Sequence, residues 1–160
     1  MAKHTLEIEF DYDFVLIGIV SHEKDYRLAW SINNLMDLQL TKQDSLEIKG
    51  KKQSTPSFFS FFHFDNENEF IDYAVIANLS EAKSLAGAEN TLFGTGEGHE
   101  TDTEYLIPEQ KQISYFFVIR GEMDDDEVED VIQKVKSIEG VQTAVRIDVK
   151  SLRSKQNLIF

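Results

Sequence analysis

Residues 6–14 alternate between apolar and acidic side chains without interruption. A repeat of two residues is typical of a strand with one buried face and one solvated face. Residues 15–20 are apolar on both faces, which favours the middle of a sheet, and Gly18 indicates a bulge or a close approach of another segment. We therefore expect one strand that bends near Asp13.

The next segment has the spacing of a helix. Ser21 is in place to cap it, and acidic residues follow in the first turn. These features predict a helix over residues 22–37. Its apolar positions are Leu28, Ile32, Leu35 and Met36, with Ala29 and Trp30 beside them.

The middle of the chain contains three segments that predict strands. Residues 46–48 form a short candidate, and residues 58–64 and 70–77 are rich in aromatic and β-branched side chains. Residues 65–69 fit a hairpin loop between the second and the third. Residues 80–104 hold four of the eight glycines and show little periodicity, so we expect a mobile loop there.

The last third predicts a strand, a helix and a strand. Residues 113–119 are apolar on both faces, as in a central strand. Asp124 and Glu127 have the spacing of a capping box, and apolar residues follow at helical intervals as far as Ile138. Residues 145–149 then alternate, which predicts a final strand with one wet face.

Two strand-then-helix segments with a hairpin between them predict an α+β fold. We expect a mainly antiparallel sheet with two helices on one face and a C-terminal βαβ unit, as in a ferredoxin-like or ACT-like sandwich. A length of 160 residues fits a single domain over 1–160.

The composition narrows the class of protein. The chain has no cysteine, which excludes cysteine nucleophiles and thiolate metal sites and agrees with a reducing compartment. Residues 1–15 lack the regions of a signal peptide. The longest apolar run, residues 14–20, is far shorter than the roughly 20 residues that span a bilayer. We expect a cytoplasmic protein that does not enter a membrane.

The charge is strongly negative and unevenly distributed. Sixteen Lys and Arg against 29 Asp and Glu give a net charge of −13. Residues 65–109 contain eleven acidic residues against Lys83, a net charge of −10, whereas residues 143–160 carry a net charge of +3. Because a field of this sign repels phosphate backbones, nucleic acid is a disfavoured partner.

Three acidic or glycine-rich segments are candidates for a catalytic, metal-binding or phosphate-binding site. We interpret the carboxylates at 7, 9, 11 and 13 as the solvated face of a strand rather than a catalytic pair or a cation site. Residues 124–127 are interpreted as a helix cap rather than a metal site, and residues 94–99 as a flexible loop rather than a phosphate cradle. The sequence therefore predicts no catalytic residue, metal or cofactor.

Two segments leave a core role and a binding role open. Residues 58–64 place aromatic rings on both faces of a strand, which are core if covered and a docking surface if exposed. We favour the core. The C-terminal residues 157–160 are either packed on their own domain, the option we favour slightly, or an apolar hook for a partner.

Residues 106–115, Leu-Ile-Pro-Glu-Gln-Lys-Gln-Ile-Ser-Tyr, resemble the IPExxVDY family of bacterial proteins, named after Ile-Pro-Glu, two variable residues and Val-Asp-Tyr. The similarity to that family extends to three other segments, which are residues 15–17, residues 22–28 with Trp30, and the later βαβ unit ending at residues 143–144. The resemblance implies no particular activity.

The chain departs from the family motif in two ways. Three residues separate Glu109 from Ile113, and Ser114 stands where the motif has Asp. Proline fixes φ and biases the residue before it to an extended conformation, so we interpret the motif as the entry to a strand. The candidate binding residues are Ile107, Pro108, Glu109 and Tyr115 of this segment, together with Trp30 and Phe160.

Three hypotheses of function follow. The first is a non-enzymatic protein-binding or adaptor domain that uses the acidic residues 65–109 and the basic, apolar-ended tail, with a partner that is itself basic. The alternative is an ACT-like small-molecule sensor that dimerises through its sheet and binds near residues 121–124. An enzyme with a dispersed carboxylate site is the least favoured. The oligomeric state, monomer or homodimer, is left open.

Overall fold

The computed structural model describes residues 12–49, 55–81 and 103–160, and they form an α+β fold. Within these ranges, three short 3-10 turns lie at Pro108–Gln110, Val149–Ser151 and Lys155–Leu158. In chain order the helices and strands are β1 (Val15–Ser21), α1 (Asp25–Met36), β2 (Thr41–Lys42), β3 (Leu46–Ile48), β4 (Ser57–Phe59), β5 (Phe61–Asn66), β6 (Ile71–Ala77), β7 (Tyr115–Arg120), α2 (Asp125–Lys136) and β8 (Val141–Ile147).

Six of the strands form one antiparallel sheet in the order β2-β5-β6-β7-β1-β8, and β3 pairs with β4 separately. The four strands β8-β1-β7-β6, with α1 after β1 and α2 after β7, have the connectivity of a ferredoxin-like sandwich. The predicted α+β class, with a mainly antiparallel sheet and two helices, is confirmed. The C-terminal βαβ unit is split, because β1 lies between β7 and β8 and pairs antiparallel with both.

Both faces of the sheet are covered. Ile17 and Ile19 of β1 pack under α1 and α2, on what we call the helix face. Leu16 of β1 points to the opposite face, which we call the second face. This alternation explains why β1 is apolar at every position. The second face is covered by other parts of the chain, whose buried side chains are Leu106, Ile107, Ile113, Val149, Leu152 and Leu158.

The predicted N-cap of α1 is wrong. Ser21 is the last residue of β1, and the N-cap position is Lys24, which makes no capping hydrogen bond with its side chain. The Ser21 hydroxyl instead donates to the carbonyl oxygen of Gly140 at 2.8 Å and accepts from the Glu23 N–H at 3.0 Å. The Ser21 side chain therefore ties the end of β1 to the turn before β8. This contact explains why β1 extends one residue beyond its apolar run, as far as Ser21.

The predicted aromatic strand at residues 58–64 is two strands, β4 and β5, separated at Ser60. The buried Ser60 hydroxyl donates to the Asp25 carboxylate at the start of α1. On either side of the break, Phe59 and Phe62 are 1% and 6% exposed. Phe62 packs under the helices and Phe59 on the second face, whereas Phe58 is exposed, so most of the stripe is core.

The capping box of α2 is confirmed, with Asp124 and Glu127 each accepting from the backbone N–H of the other. The final strand lies earlier than predicted, at β8. Gly140, with φ of 91°, makes the turn that a residue with a side chain would adopt only under strain. Val149, predicted to lie in the strand, is buried in a 3-10 turn on the second face.

Several predictions concern residues outside the described ranges. These are the carboxylates at 7, 9 and 11, the glycine-rich residues 94–99, and most of the loop at 80–104. Within the described ranges, neither helix has the length and hydropathy needed to cross a bilayer.

Candidate functional site

A groove runs between α1 and the end of α2 on the outside of the helix layer. The groove is a shallow, open channel with a volume of about 450 Å³. Trp30 is 68% exposed beside it, and Leu35 is 41% exposed. The residues that line it are Trp30, Ser31, Asn34, Leu35, Ser137, Ile138 and Glu139.

The sequence of α1 explains why Trp30 points outward. Leu28, Ala29 and Ile32 are buried on the helix face, and Trp30 lies on the opposite side of the helix. Tyr26, four residues earlier, is 56% exposed and extends the same outer surface. Trp30, predicted as a binding residue, is therefore placed where a partner can reach it.

The end of α1 is fixed by hydrogen bonds. Asn33 donates to the carbonyl oxygen of Leu40 at 3.0 Å and accepts from the Leu40 N–H at 2.8 Å. Asp37 adopts a left-handed conformation, with φ of 55°, and ends the helix. Leu38 and Leu40 then turn inward and are buried. The helix that forms one wall of the groove is therefore fixed at its C-terminal end.

Of the predicted motif residues, Ile107, Pro108 and Glu109 lie on the other side of the sheet from the groove, whereas Tyr115 packs on the helix face. Ile107 is fully buried in the second-face core, whereas Pro108 and Glu109 are exposed in the 3-10 turn that follows. Ser114, at the motif's Asp position, accepts a hydrogen bond from the Ser21 N–H at 3.1 Å. The motif therefore leads into β7, as the sequence predicts, and shares no surface with Trp30.

Asn78 holds this segment against the sheet. Its side-chain amide donates to the carbonyl oxygens of Gln110 and Ile113, both at 2.8 Å, and accepts from the Ile107 N–H at 2.9 Å. Its backbone accepts from the Leu106 N–H at 2.7 Å. Asn78 is fully buried, so these bonds replace water for four backbone groups of the motif.

Glu109 connects the motif to the C-terminal segment. Its carboxylate accepts from the Ser154 N–H at 2.7 Å and from the Ser154 hydroxyl at 3.0 Å. Desolvation raises the pKa of Glu109, but hydrogen bonds from Ser154 and from the backbone N–H groups of Glu109 and Arg153 together outweigh it and leave the pKa below its ordinary value. The exposed carboxylate is thus used to hold the chain's own tail.

The C-terminal segment packs on its own domain. Leu158 is fully buried, and Asn157 donates to the carbonyl oxygen of Leu106 at 2.8 Å. Phe160 makes an edge-to-face contact with Phe61, with ring centroids 4.9 Å apart. Of the two options for this tail, the described structure has the self-packed one. Phe160 itself is 39% exposed.

Arg120 joins the tail to the sheet. Its guanidinium donates to the carbonyl oxygen of Leu158 at 2.6 Å and lies 4.2 Å from the ring centroid of Phe160 and 5.2 Å from that of Phe14. It also forms an ion pair with Asp72 at 3.5 Å, directly across from it on β6. Burial lowers the pKa of Arg120, and Asp72 counteracts the shift.

A histidine completes this cluster. His63 on β5 contacts the Asp72 carboxylate, so three adjacent strands contribute one charged or titratable side chain each. With Phe61 and Phe160 they border a cleft of about 400 Å³. Because Arg120 contacts Leu158 and Phe160 of the chain's own C-terminal segment, the arrangement secures the tail.

Tyr115 begins β7 and reaches toward α1. Its hydroxyl donates to the carbonyl oxygen of Glu23 at 2.6 Å, just before the helix begins. Burial raises the pKa of Tyr115 from 10.0 to about 12, and the negative charges of Asp25 and Glu23 add to the effect. Tyr115 therefore fixes the connection between β1 and α1.

The Tyr115 pKa predicts a dependence of stability on pH. Since the folded-state value exceeds the unfolded one, this contribution to stability is complete below pH 10 and is lost as the pH rises toward 12. We expect Tyr115→Phe to be less stable by about 1 kcal/mol below pH 10, through loss of the hydrogen bond, and the difference to shrink toward pH 12. Urea unfolding of both proteins at several pH values checks this. A difference that does not change with pH would contradict it.

Sequence reasoning missed Asn78 and Arg120. The side-chain partners of Asn78 are 29 to 35 residues away in the chain, and Arg120 bonds to Leu158, 38 residues away. Neither residue belongs to a local motif. The signal in the sequence that could have identified both residues is a polar side chain at the end of an apolar strand. Among the described residues, no group of three His, Asp or Glu side chains could hold a metal ion.

No protein-family model, no curated protein and no solved structure matches this chain. The resemblance of residues 106–115 to the IPExxVDY family therefore stays a prediction from the sequence.

Proposed function

We propose that this chain is a cytoplasmic, non-enzymatic binding domain that docks another protein on the groove beside Trp30. The observation that carries the proposal is the exposure of Trp30, at 68%, next to Leu35 and Ile138. Large apolar side chains grouped on a surface are typical of interaction sites, whereas singly scattered ones are common on any protein. The absence of cysteine agrees with a cytoplasmic location.

The groove has the composition of a binding site. Trp is enriched among the residues that contribute most to the affinity of protein interfaces, because it buries a large area with few rotatable bonds. The side chains of Ser31, Asn34 and Ser137 lie around the apolar centre and supply polar groups at its rim. A partner with an apolar side chain that inserts beside Trp30 would bury this surface.

The charge of the chain favours a basic partner. The net charge is −13, and Glu139 lies in the wall of the groove. A field of this sign accelerates the association of positively charged proteins and disfavours acidic ones. We therefore propose a basic protein as the occupant.

Affinity capture from cells that naturally make the protein tests the proposal. We expect the wild type to retain one stoichiometric basic protein, and Trp30→Ser to lose it. Phe70→Ser is the matched control, because it removes another aromatic ring that is 86% exposed, in the turn between β5 and β6. Recovery of no protein, or equal recovery by Trp30→Ser and the wild type, would refute this function.

A small-molecule sensor is the second candidate, favoured by a separate groove. It has a volume of about 540 Å³ and includes Gly121, in the strand-to-helix loop where the sequence predicts a ligand. Its walls carry both signs of charge, from Asp13 and Asp148 and from Arg146 and Lys150, which suits a zwitterion such as an amino acid. A thermal-shift screen with amino acids and nucleotides tests this candidate, and no shift at millimolar concentration rejects it.

A further inference from the structure

β8 is an edge of the six-stranded sheet. In the described part of the chain, β1 is the only strand that pairs with it. β8 is seven residues long, whereas β2 at the opposite edge has two. An edge of this length presents a row of backbone donors and acceptors that can pair with another strand.

The side chains of β8 do not block its edge. The strand contains no proline, and its one charged residue, Arg146, is turned toward α2, where it binds Asp125 at 2.8 Å. Val145 is 43% exposed, and its neighbour Ala144 is buried under the helices. Proteins usually protect long edges with prolines or with charges such as lysine, and β8 has neither in a blocking position.

We propose that β8 pairs antiparallel with β8 of a second copy of this chain, so that the two sheets become continuous. In an interface formed around a twofold axis, both copies contribute the same residues. With the axis at Ala144, Gln142 lies opposite Arg146, and Thr143 lies opposite Val145. No two like charges then face each other along the strands, and the exposed Val145 gains an apolar contact.

The charges of α2 favour this second copy. Asp125 contacts Arg146 on β8, so the flank of α2 that includes Asp125 and Glu129 lies toward the edge. Lys136 lies two turns after Glu129 on the same flank. Antiparallel pairing of the strands makes the two α2 helices antiparallel as well. The acidic start of each helix then faces the basic end of the other, which counteracts the repulsion between two acidic chains.

Sedimentation velocity over a range of concentrations tests this pairing. We expect the wild type to form a dimer and Val145→Lys to be monomeric, because two lysines would be diagonal neighbours across the axis and the apolar contact of Val145 would be lost. Leu79→Lys is the matched control, since Leu79 is 47% exposed and lies outside β8, and it should dimerise like the wild type. A wild type that is monomeric at every concentration, or a dimer that Val145→Lys leaves intact, would overturn the proposal.

A cross-link gives a second readout that does not depend on weakening the dimer. The chain has no cysteine, so a disulfide can form only at an introduced one. We expect a mixture of the Thr143→Cys and Val145→Cys proteins to give a covalent dimer on mild oxidation, because Thr143 lies directly opposite Val145 of the second copy, within reach of a disulfide. A mixture of the Thr143→Cys and Leu79→Cys proteins should stay monomeric. Equal cross-linking in the two mixtures would overturn the proposed pairing.

Discussion

Replacing Asn78 with alanine is expected to destabilise the protein by about 3 to 5 kcal/mol. The change removes three side-chain hydrogen bonds, at 2.8, 2.8 and 2.9 Å, from a fully buried position. It leaves the Ile107 N–H and the carbonyl oxygens of Gln110 and Ile113 without this partner. A buried backbone group left in that state costs about 1 to 3 kcal/mol. The loss should therefore exceed that of most single substitutions.

Urea unfolding measures the effect. Asn78→Asp is an informative second variant, because a carboxylate can accept from the Ile107 N–H but cannot donate to the two carbonyl oxygens. Asn33→Ala is the control, since Asn33 is only partly buried and makes two hydrogen bonds to Leu40. A loss below about 1 kcal/mol for Asn78→Ala would show that this asparagine does not hold the 106–113 segment.

Replacing Arg120 with methionine is the second change with a large expected effect, about 2 to 4 kcal/mol. It removes the hydrogen bond to Leu158, the ion pair with Asp72 and the contact with the Phe160 ring. The methionine keeps much of the apolar volume, so the loss reports on the polar contacts. We expect the C-terminal segment to separate from the sheet more often.

Hydrogen exchange of the backbone amides in residues 154–160, together with urea unfolding, measures this effect. Arg120→Lys keeps the charge but loses the planar guanidinium that lies over the Phe160 ring, so it should recover only part of the stability. Unchanged exchange in Arg120→Met, with stability equal to that of the wild type, would show that Arg120 does not secure the tail.

The sequence predicted the elements whose pattern is local. The continuous apolar residues of β1 and β7 indicate strands that are buried on both faces, and the spacing of Asp124 and Glu127 indicates the start of α2. These signals depend on neighbours within a few residues. Trp30, in contrast, became a candidate binding residue through the resemblance to the IPExxVDY family, and its exposure is a finding of the structure.

Features that depend on distant residues were not predictable. The break at Ser60 depends on Asp25, 35 residues earlier, and the extension of β1 to Ser21 depends on Gly140, 119 residues later. The insertion of β1 between β7 and β8 is a property of the whole sheet. Likewise, the groove beside Trp30 exists because the end of α2 lies next to α1, which no local pattern specifies.

The fluorescence of Trp30 tests the proposed docking surface most directly. Trp30 is the single tryptophan of the chain, so its emission reports on the groove alone. A tryptophan-free variant or fragment of the captured basic protein, added to the wild type, should shift this emission to shorter wavelengths, because docking removes water from a side chain that is 68% exposed. An emission spectrum that stays unchanged while the two proteins bind would contradict docking at Trp30.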